Sequence, residues 1–296
     1  MAALEPAVLA EWTAEQHRLA SLALFDDAAD LSFAIRASPA TLLPPLCPLA
    51  PSVCRENLAE LAFDGLHTVA GVDISFRDRT GDKGVAVLAV LSFPDLKLLA
   101  SICHTVSLTS TPYIHSFLAF REARFFLDLI AELHTARPDI PTPQVLFVDG
   151  NGRHHPRQAG SAVAVGVGTG LPTVGVAKEF HPLHLDSSST SPPPLHTPTP
   201  APLFPLDTCT SQRGMRVACQ SLLHQQGDWL GLVPPSASST NEYWGAALRL
   251  SPARTAQNPT FVSPGHRLSL QTSVRLALAC TREGKVPEPV RVADRL

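Results

Sequence analysis

Residues 145–157 read Val145-Leu146-Phe147-Val148-Asp149-Gly150-Asn151-Gly152-Arg153-His154-His155-Pro156-Arg157. The four apolar residues fit a short buried strand, and Asp149 stands at its C-terminal end. Gly150 and Gly152 let the backbone turn sharply there and approach a ligand. A carboxylate at that place is not apolar packing: it caps a turn or binds something. Two histidines and two arginines follow within eight residues, the composition expected around a metal and a phosphate.

Working outward, Thr173–Ala177 reads as another buried strand, and the Ala/Val/Gly-rich stretch 158–168 between the two as a closely packed helix. Upstream, Phe117–His134 carries Leu118, Phe125, Leu129 and Leu133 near one helical face, with Arg121, Arg124, Asp128 and Glu132 favouring the other. Before it lie three β-rich runs, Thr68–Phe76, Gly84–Phe93 and Leu96–Leu108. Their links, Arg77–Lys83 and Pro94-Asp95, are of hairpin length and predict an antiparallel three-stranded meander. Strand–helix–strand–helix–strand from residue 96 onward then predicts a parallel crossover half. The fold class is α/β with a mixed central sheet.

The ends of the chain read differently. Residues 10–36 have helical spacing, and 37–55 are Pro-rich and loop-like. The stretch 182–211 is rich in Ser, Thr and Pro with almost no charge, as expected of a disordered insertion. Pro234–Thr240 reads as a second loop. Order returns at Tyr243–Leu250 and Thr260–Val262, and a last helix is expected at about Leu268–Thr281. The organisation expected is an N-terminal helix and Pro-rich segment (1–55), a catalytic domain (56–290) interrupted at 182–211, and a tail (291–296).

Composition bounds the function. The chain has 296 residues, is 45% hydrophobic and 17% charged, and has a net charge of −3. It is globular and lacks a whole-chain basic footprint for nucleic acid, so any such substrate needs a local groove. Arg121, Arg124, Arg153, Arg157, Lys178 and Arg267 are the candidates for one. The six cysteines show no C-x-x-C pair and no zinc-ligand spacing, which fits reduced intracellular thiols. The N-terminus carries Glu5, Glu11 and Glu15, unlike a signal or transit peptide. The stretch 159–177 is broken by five glycines and a proline, unlike a membrane span.

Asp73 lies inside the apolar run Val-Ala-Gly-Val-Asp-Ile-Ser-Phe, where a charge is costly without a partner. Taken singly it fits a strand carboxylate paired with arginine. Glu122 by itself fits an exposed helix glutamate, Lys178 a strand-end surface lysine, His155 a surface histidine and His266 a helix-cap histidine. Together, Asp73, Glu122 and Asp149 can converge at one edge of the sheet. Three carboxylates there repel unless a hard cation lies between them, and Mg²⁺ is bound in this style. Lys178 points at the same edge and could stabilise a phosphate in flight. Tyr113, in a Pro-bounded loop, can stack on a base or wedge into a gap.

Five segments, in order, resemble the endonuclease V family: VAGVDISF (69–76), PYIHSFLAFRE (112–122), VLFVDGNGRHHPR (145–157), LPTVGVAK (171–178) and VSPGHRLSL (262–270). The resemblance runs from about residue 55 to 290 and implies a ribonuclease H-like three-layer fold. It implies an Mg²⁺- or Mn²⁺-dependent endonuclease that cuts single-stranded or locally opened DNA or RNA at the second phosphodiester 3′ to inosine. The products would carry 5′-phosphates, and the role would be repair or turnover of deaminated strands. On this resemblance Asp73 and Asp149 hold the metal, Glu122 completes the acidic set, Lys178 assists at the phosphate, and His266 lies near the metal or the attacking water. Pro112, Tyr113 and Ile114 form a strand-separating wedge. Gly150, Asn151 and Gly152 line a hypoxanthine pocket, and His155 adds a polar group. A monomer in the cytoplasm or nucleus is expected. His115 replaces the wedge's usual fourth-position proline, and Ala164-Val165-Gly166 replaces a His-Leu-Gly step. The rival readings are a non-catalytic inosine binder and a structure-specific nuclease of the same fold.

Overall fold

The computed structural model describes residues 5–43, 53–76, 82–183, 211–233, 243–253 and 258–296. The link 77–81, nearly all of the 182–211 stretch and the Pro234–Thr240 loop lie outside the described residues.

The meander is present: β5 (Thr68–Phe76), β6 (Lys83–Ser92) and β7 (Leu98–Ser107) pair antiparallel in sequence order. α2 (Leu118–Ala136) follows, then β8 (Val145–Asp149), α3 (Ser161–Thr169) and β9 (Thr173–Ala177). β8 lies parallel to β5, and β9 parallel to β8. The parallel half therefore grows from β5; the strand expected from residue 96 is β7, an edge strand. Period-2 alternation explains the layering. Val69, Val145 and Phe147 enter one apolar cluster, and Ala70, Val72, Leu146 and Val148 enter another on the opposite face with Phe126 and Leu129 of α2. The buried aromatic of α2 is Phe126 rather than Phe125, and Arg121 lies on the buried side.

The N-terminal helix is shorter than its periodicity suggests. α1 spans Pro6–Leu22, and β1 (Ala34–Arg36) pairs with β4 (Ala62–Asp64). The Pro-rich segment is not all loop, since β2 (Thr41–Leu43) and β3 (Val53–Arg55) occupy its ends. Two further elements were not among those expected: α4 (Gln212–Leu222), which Ser211 caps and which buries Met215, Ala218, Cys219 and Leu222 at helical spacing, and β10 (Asp228–Leu232). Among the described residues β11 (Gly245–Leu248) and β12 (Thr260–His266) complete a ten-stranded sheet ordered β2-β3-β10-β11-β12-β9-β8-β5-β6-β7. The boundary expected at residue 55 thus falls inside one sheet.

β12 continues through Ser-Pro-Gly-His, with a register shift between Pro264 and His266, so the next helix starts later; α5 spans Leu270–Ala279. The chain then forms α6 (Glu288–Arg295), which packs across β5 and buries Pro289, Val290 and Ala293. Gly71 makes this possible: a Cβ there would stand 2.1 Å from the Pro289 carbonyl oxygen. The expected tail is the end of a docked helix.

Candidate active site

Asp73 and Asp149 extend neighbouring parallel strands. The last registered pair is Val72 with Val148, one residue short of both carboxylates. Asp73 continues the Val69–Gly71 side of β5, and Asp149 the Val145–Phe147 side of β8. Both therefore face the layer that contains α6. The carboxyls lie within hydrogen-bonding reach of one another, and burial followed by this contact with Asp149 drives the Asp73 pKa well up. Ser75 Oγ donates to Asp73 Oδ2 at 3.3 Å.

Glu122 arrives from the other layer, in the second turn of α2. It is buried, and burial, then the charges of Asp149 and Asp73, push its pKa up to about 8. Lys178 follows β9 and donates to Asp149 Oδ2 at 2.8 Å. Burial pulls its pKa down, but the charge and hydrogen bond of Asp149, with help from Asp73 and Asp294, prevail and raise it to about 12.

A fourth carboxylate was missed from the sequence. Asp294, on α6, lies 3.4 Å from Lys178 Nζ, its backbone carbonyl accepts from Ser75 Oγ at 3.1 Å, and its charge adds to the upward push on Asp73. The available signal was the pair Gly71 and Pro289-Val290: a glycine in a central strand marks a close backbone approach, here that of α6.

His266 does not join this edge. It pairs with Thr173, at the opposite end of β9 from Lys178. Five residues of strand at ~3.3 Å each put it roughly 15 Å along the sheet from that lysine. Its Nδ1 accepts from the Leu24 backbone N–H at 3.2 Å, so it ties down the N-terminal segment. The expectation that it lies near the metal or the attacking water is not met, because antiparallel pairing sends β12 the wrong way.

Next to Asp149, Gly150 has φ 141°, a conformation suited to glycine, and opens the turn towards a cavity of about 80 Å³. The lining includes Gly150, Asn151, Tyr113, His115, His155 and His181. Tyr113 is 57% exposed at its mouth. Pro112, Ile114 and Gly152 do not line it; Gly152 is buried and its N–H donates to Ser263 Oγ at 2.8 Å. His155 is committed inward: Nε2 reaches the Ser116 carbonyl at 2.9 Å, and Nδ1 accepts the Arg157 backbone N–H at 3.3 Å. His115 stacks on His181 with ring centroids 4.5 Å apart.

The expected basic groove is thinner than its composition. Arg121 and Arg157 are buried, and Arg267 pairs with Asp30 at 2.5 Å. Arg153 lies over the Phe25 ring at 4.6 Å. Lys178 reaches the acidic edge through Asp149, and Arg124 is exposed on α2, where it donates to Ser110 Oγ at 3.3 Å. Long side chains with apolar stems are recruited into packing as readily as onto a surface.

Among the described residues no group of three or more His, Cys, Asp or Glu side chains is closed to metal-holding geometry. The donor chemistry nevertheless fits a hard divalent cation. Two neighbouring carboxyl groups present oxygen donors at one edge, and Mg²⁺ needs only one or two carboxylates, with water and phosphate oxygens filling the rest. Asp73 and Asp149 are the residues that would hold it. No helix among the described residues is long and apolar enough to cross a membrane.

The endonuclease V family model matches residues 49–295. Human endonuclease V is 40% identical over 233 residues, which cover 79% of this chain and 71% of that protein. The crystal structure of the catalytic domain of human endonuclease V aligns with a TM-score of 0.72 at 32% identity, covering 99% of this chain and 95% of that one. The Ciona intestinalis endonuclease V, in complex with a 24mer DNA containing an inosine followed by a ribo-adenosine, aligns with a TM-score of 0.70 at 25% identity, covering 98% and 95%. The three-layer mixed sheet is the ribonuclease H-like fold of these structures.

Proposed function

The chain belongs to the endonuclease V family, and we propose that it is a divalent-metal-dependent endonuclease that cuts DNA or RNA at the second phosphodiester 3′ to inosine, leaving 5′-phosphates. The observation that carries this reading is the meeting of Asp73, Glu122, Asp149, Asp294 and Lys178 at one sheet edge, next to a small pocket opened by Gly150. Support comes also from the inosine-containing DNA bound by the Ciona relative.

Each residue then has a task. Asp73 and Asp149 would hold Mg²⁺ or Mn²⁺. When bound, the cation supplies Lewis-acid polarisation of the phosphate and activation of a water. Glu122, buried beside the two aspartates, completes the acidic set at that edge. Lys178 offers a positive charge to the phosphate while orienting Asp149. Tyr113 fills the gap left by the extruded base, and the backbone of Gly150 and Asn151 faces the hypoxanthine edge.

The test is product mapping on matched strands that differ only by inosine or adenosine, in DNA and in RNA, with Mg²⁺ and with EDTA. Cutting confined to the inosine strands and to the metal condition supports the reading. Equal cutting of both strands refutes base recognition, and full activity in EDTA refutes the metal. Binding without cleavage under every condition identifies a reader rather than a nuclease.

A further inference from the structure

The root of the Tyr113 loop is held by a convergence of donors. Ser116 has φ 66°, the left-handed region that a non-glycine residue seldom occupies. Its carbonyl accepts from Gln16 Nε2 at 2.9 Å, His155 Nε2 at 2.9 Å and Arg157 Nη2 at 3.0 Å. A carbonyl oxygen has two lone pairs, so three donors saturate it.

Gln16 differs from the other two because it comes from outside the pocket's own loops. It is the buried residue of α1, only 1% exposed. Its amide is fully used: Nε2 donates to Ser116 O and also to Ala159 O at 3.2 Å, while Oε1 accepts from Arg157 Nε at 2.5 Å. One side chain thus ties the Tyr113 loop to the far end of the glycine loop. Gln16 also lines the small cavity between them. An apolar residue would dock α1 without the desolvation cost of a buried amide. His155 and Arg157 already link the glycine loop to Ser116; the amide adds the span from Ser116 to Ala159, at the far end of that loop.

We propose that Gln16 is a positioning residue for base recognition, setting the width of the pocket between the Tyr113 loop and the glycine loop through Ser116 and Ala159. The proposal rests on that pocket being the base site of the function proposed above. α1 is then part of the recognition apparatus rather than an appendage.

The test compares two variants of the full chain. Gln16→Met keeps the length of the side chain and removes all three hydrogen bonds. Trp12→Ala, one turn away on α1, removes the ring stack on Phe120 at 4.7 Å and leaves those bonds in place. For each, cleavage of inosine and adenosine strands is followed against substrate and metal concentration, with Tm alongside. Gln16→Met should raise the inosine-strand concentration for half-maximal rate by about tenfold, equivalent to ~1.4 kcal/mol. It should also narrow the preference for inosine over adenosine and leave the metal concentration for half-maximal rate unmoved. Trp12→Ala should change the preference little even where its Tm loss is as large. Parental affinity and preference in Gln16→Met would overturn the proposal, as would equal losses of preference in the two variants. A parental chain that cuts inosine and adenosine strands alike would overturn the base-site reading and this proposal with it, so the two failures are distinguishable.

Discussion

Replacing Glu122 with Gln should stabilise the metal-free protein while it removes activity. Glu122 is buried beside Asp73 and Asp149, and its pKa rises from an ordinary 4.5 to about 8. A group whose folded pKa lies above its unfolded one favours folding fully only below the unfolded value. That contribution is lost as pH rises from 4.5 towards 8. At pH 7.5 the unfolded chain gains from ionising Glu122 and the folded chain scarcely can. At ~1.36 kcal/mol per unit over roughly three units, the cost to the fold is up to about 4 kcal/mol, falling to about 1 at pH 5. Gln has nearly the same shape and no charge to desolvate. The variant should therefore melt several degrees higher than the parent in EDTA at pH 7.5, at about 2 °C per kcal/mol for a chain of this size. The gap should shrink at pH 5. The assay is thermal unfolding in EDTA across that pH range, paired with cleavage in Mg²⁺. An equal or lower Tm for Glu122→Gln at pH 7.5 would refute the view that this edge is a strained cluster of carboxylates.

Four other outcomes are expected. Asp149→Asn or Asp73→Asn should abolish cleavage in Mg²⁺ while an inosine strand still binds; full activity in either variant would contradict the metal assignment. Gly71→Ala forces a Cβ into the Pro289 carbonyl and should displace α6, lowering Tm and activity together, whereas Asp294→Asn should lower activity with little loss of Tm. His154 and His155 are buried, and desolvation drops their pKa values to about 4 and about 3. Their folded values lie below the unfolded 6.5, so the fold is favoured above that pH and loses stability as pH falls towards 4, which urea titrations of Gln- or Asn-substituted variants should show as a flattened acid limb. Tyr113→Ala should weaken cutting of double-stranded inosine substrates more than single-stranded ones, and equal losses would argue against a wedge.

The sequence specified those features that depend on local pattern. The meander, β8, β9 and α2 follow from alternation and helical spacing, because each buries a face that its own residues define. Asp73, Asp149 and Lys178 were legible for the same reason: a charge inside or at the end of an apolar strand stands out against its neighbours. Elements whose stability comes from distant partners were not legible. β10 and the short strands around the prolines carry weak local signals and are held by the sheet they complete. Three aspects of the site belonged to the tertiary structure alone. Antiparallel pairing of β12 with β9 carries His266 away from the acidic edge, and a glycine in β5 lets α6 bring Asp294 to it. Helix α1, at the other end of the chain, supplies Gln16 to the pocket. Spacing along a chain fixes which face of an element a residue occupies; which elements meet, and at which end, is decided by long-range packing that no local window contains.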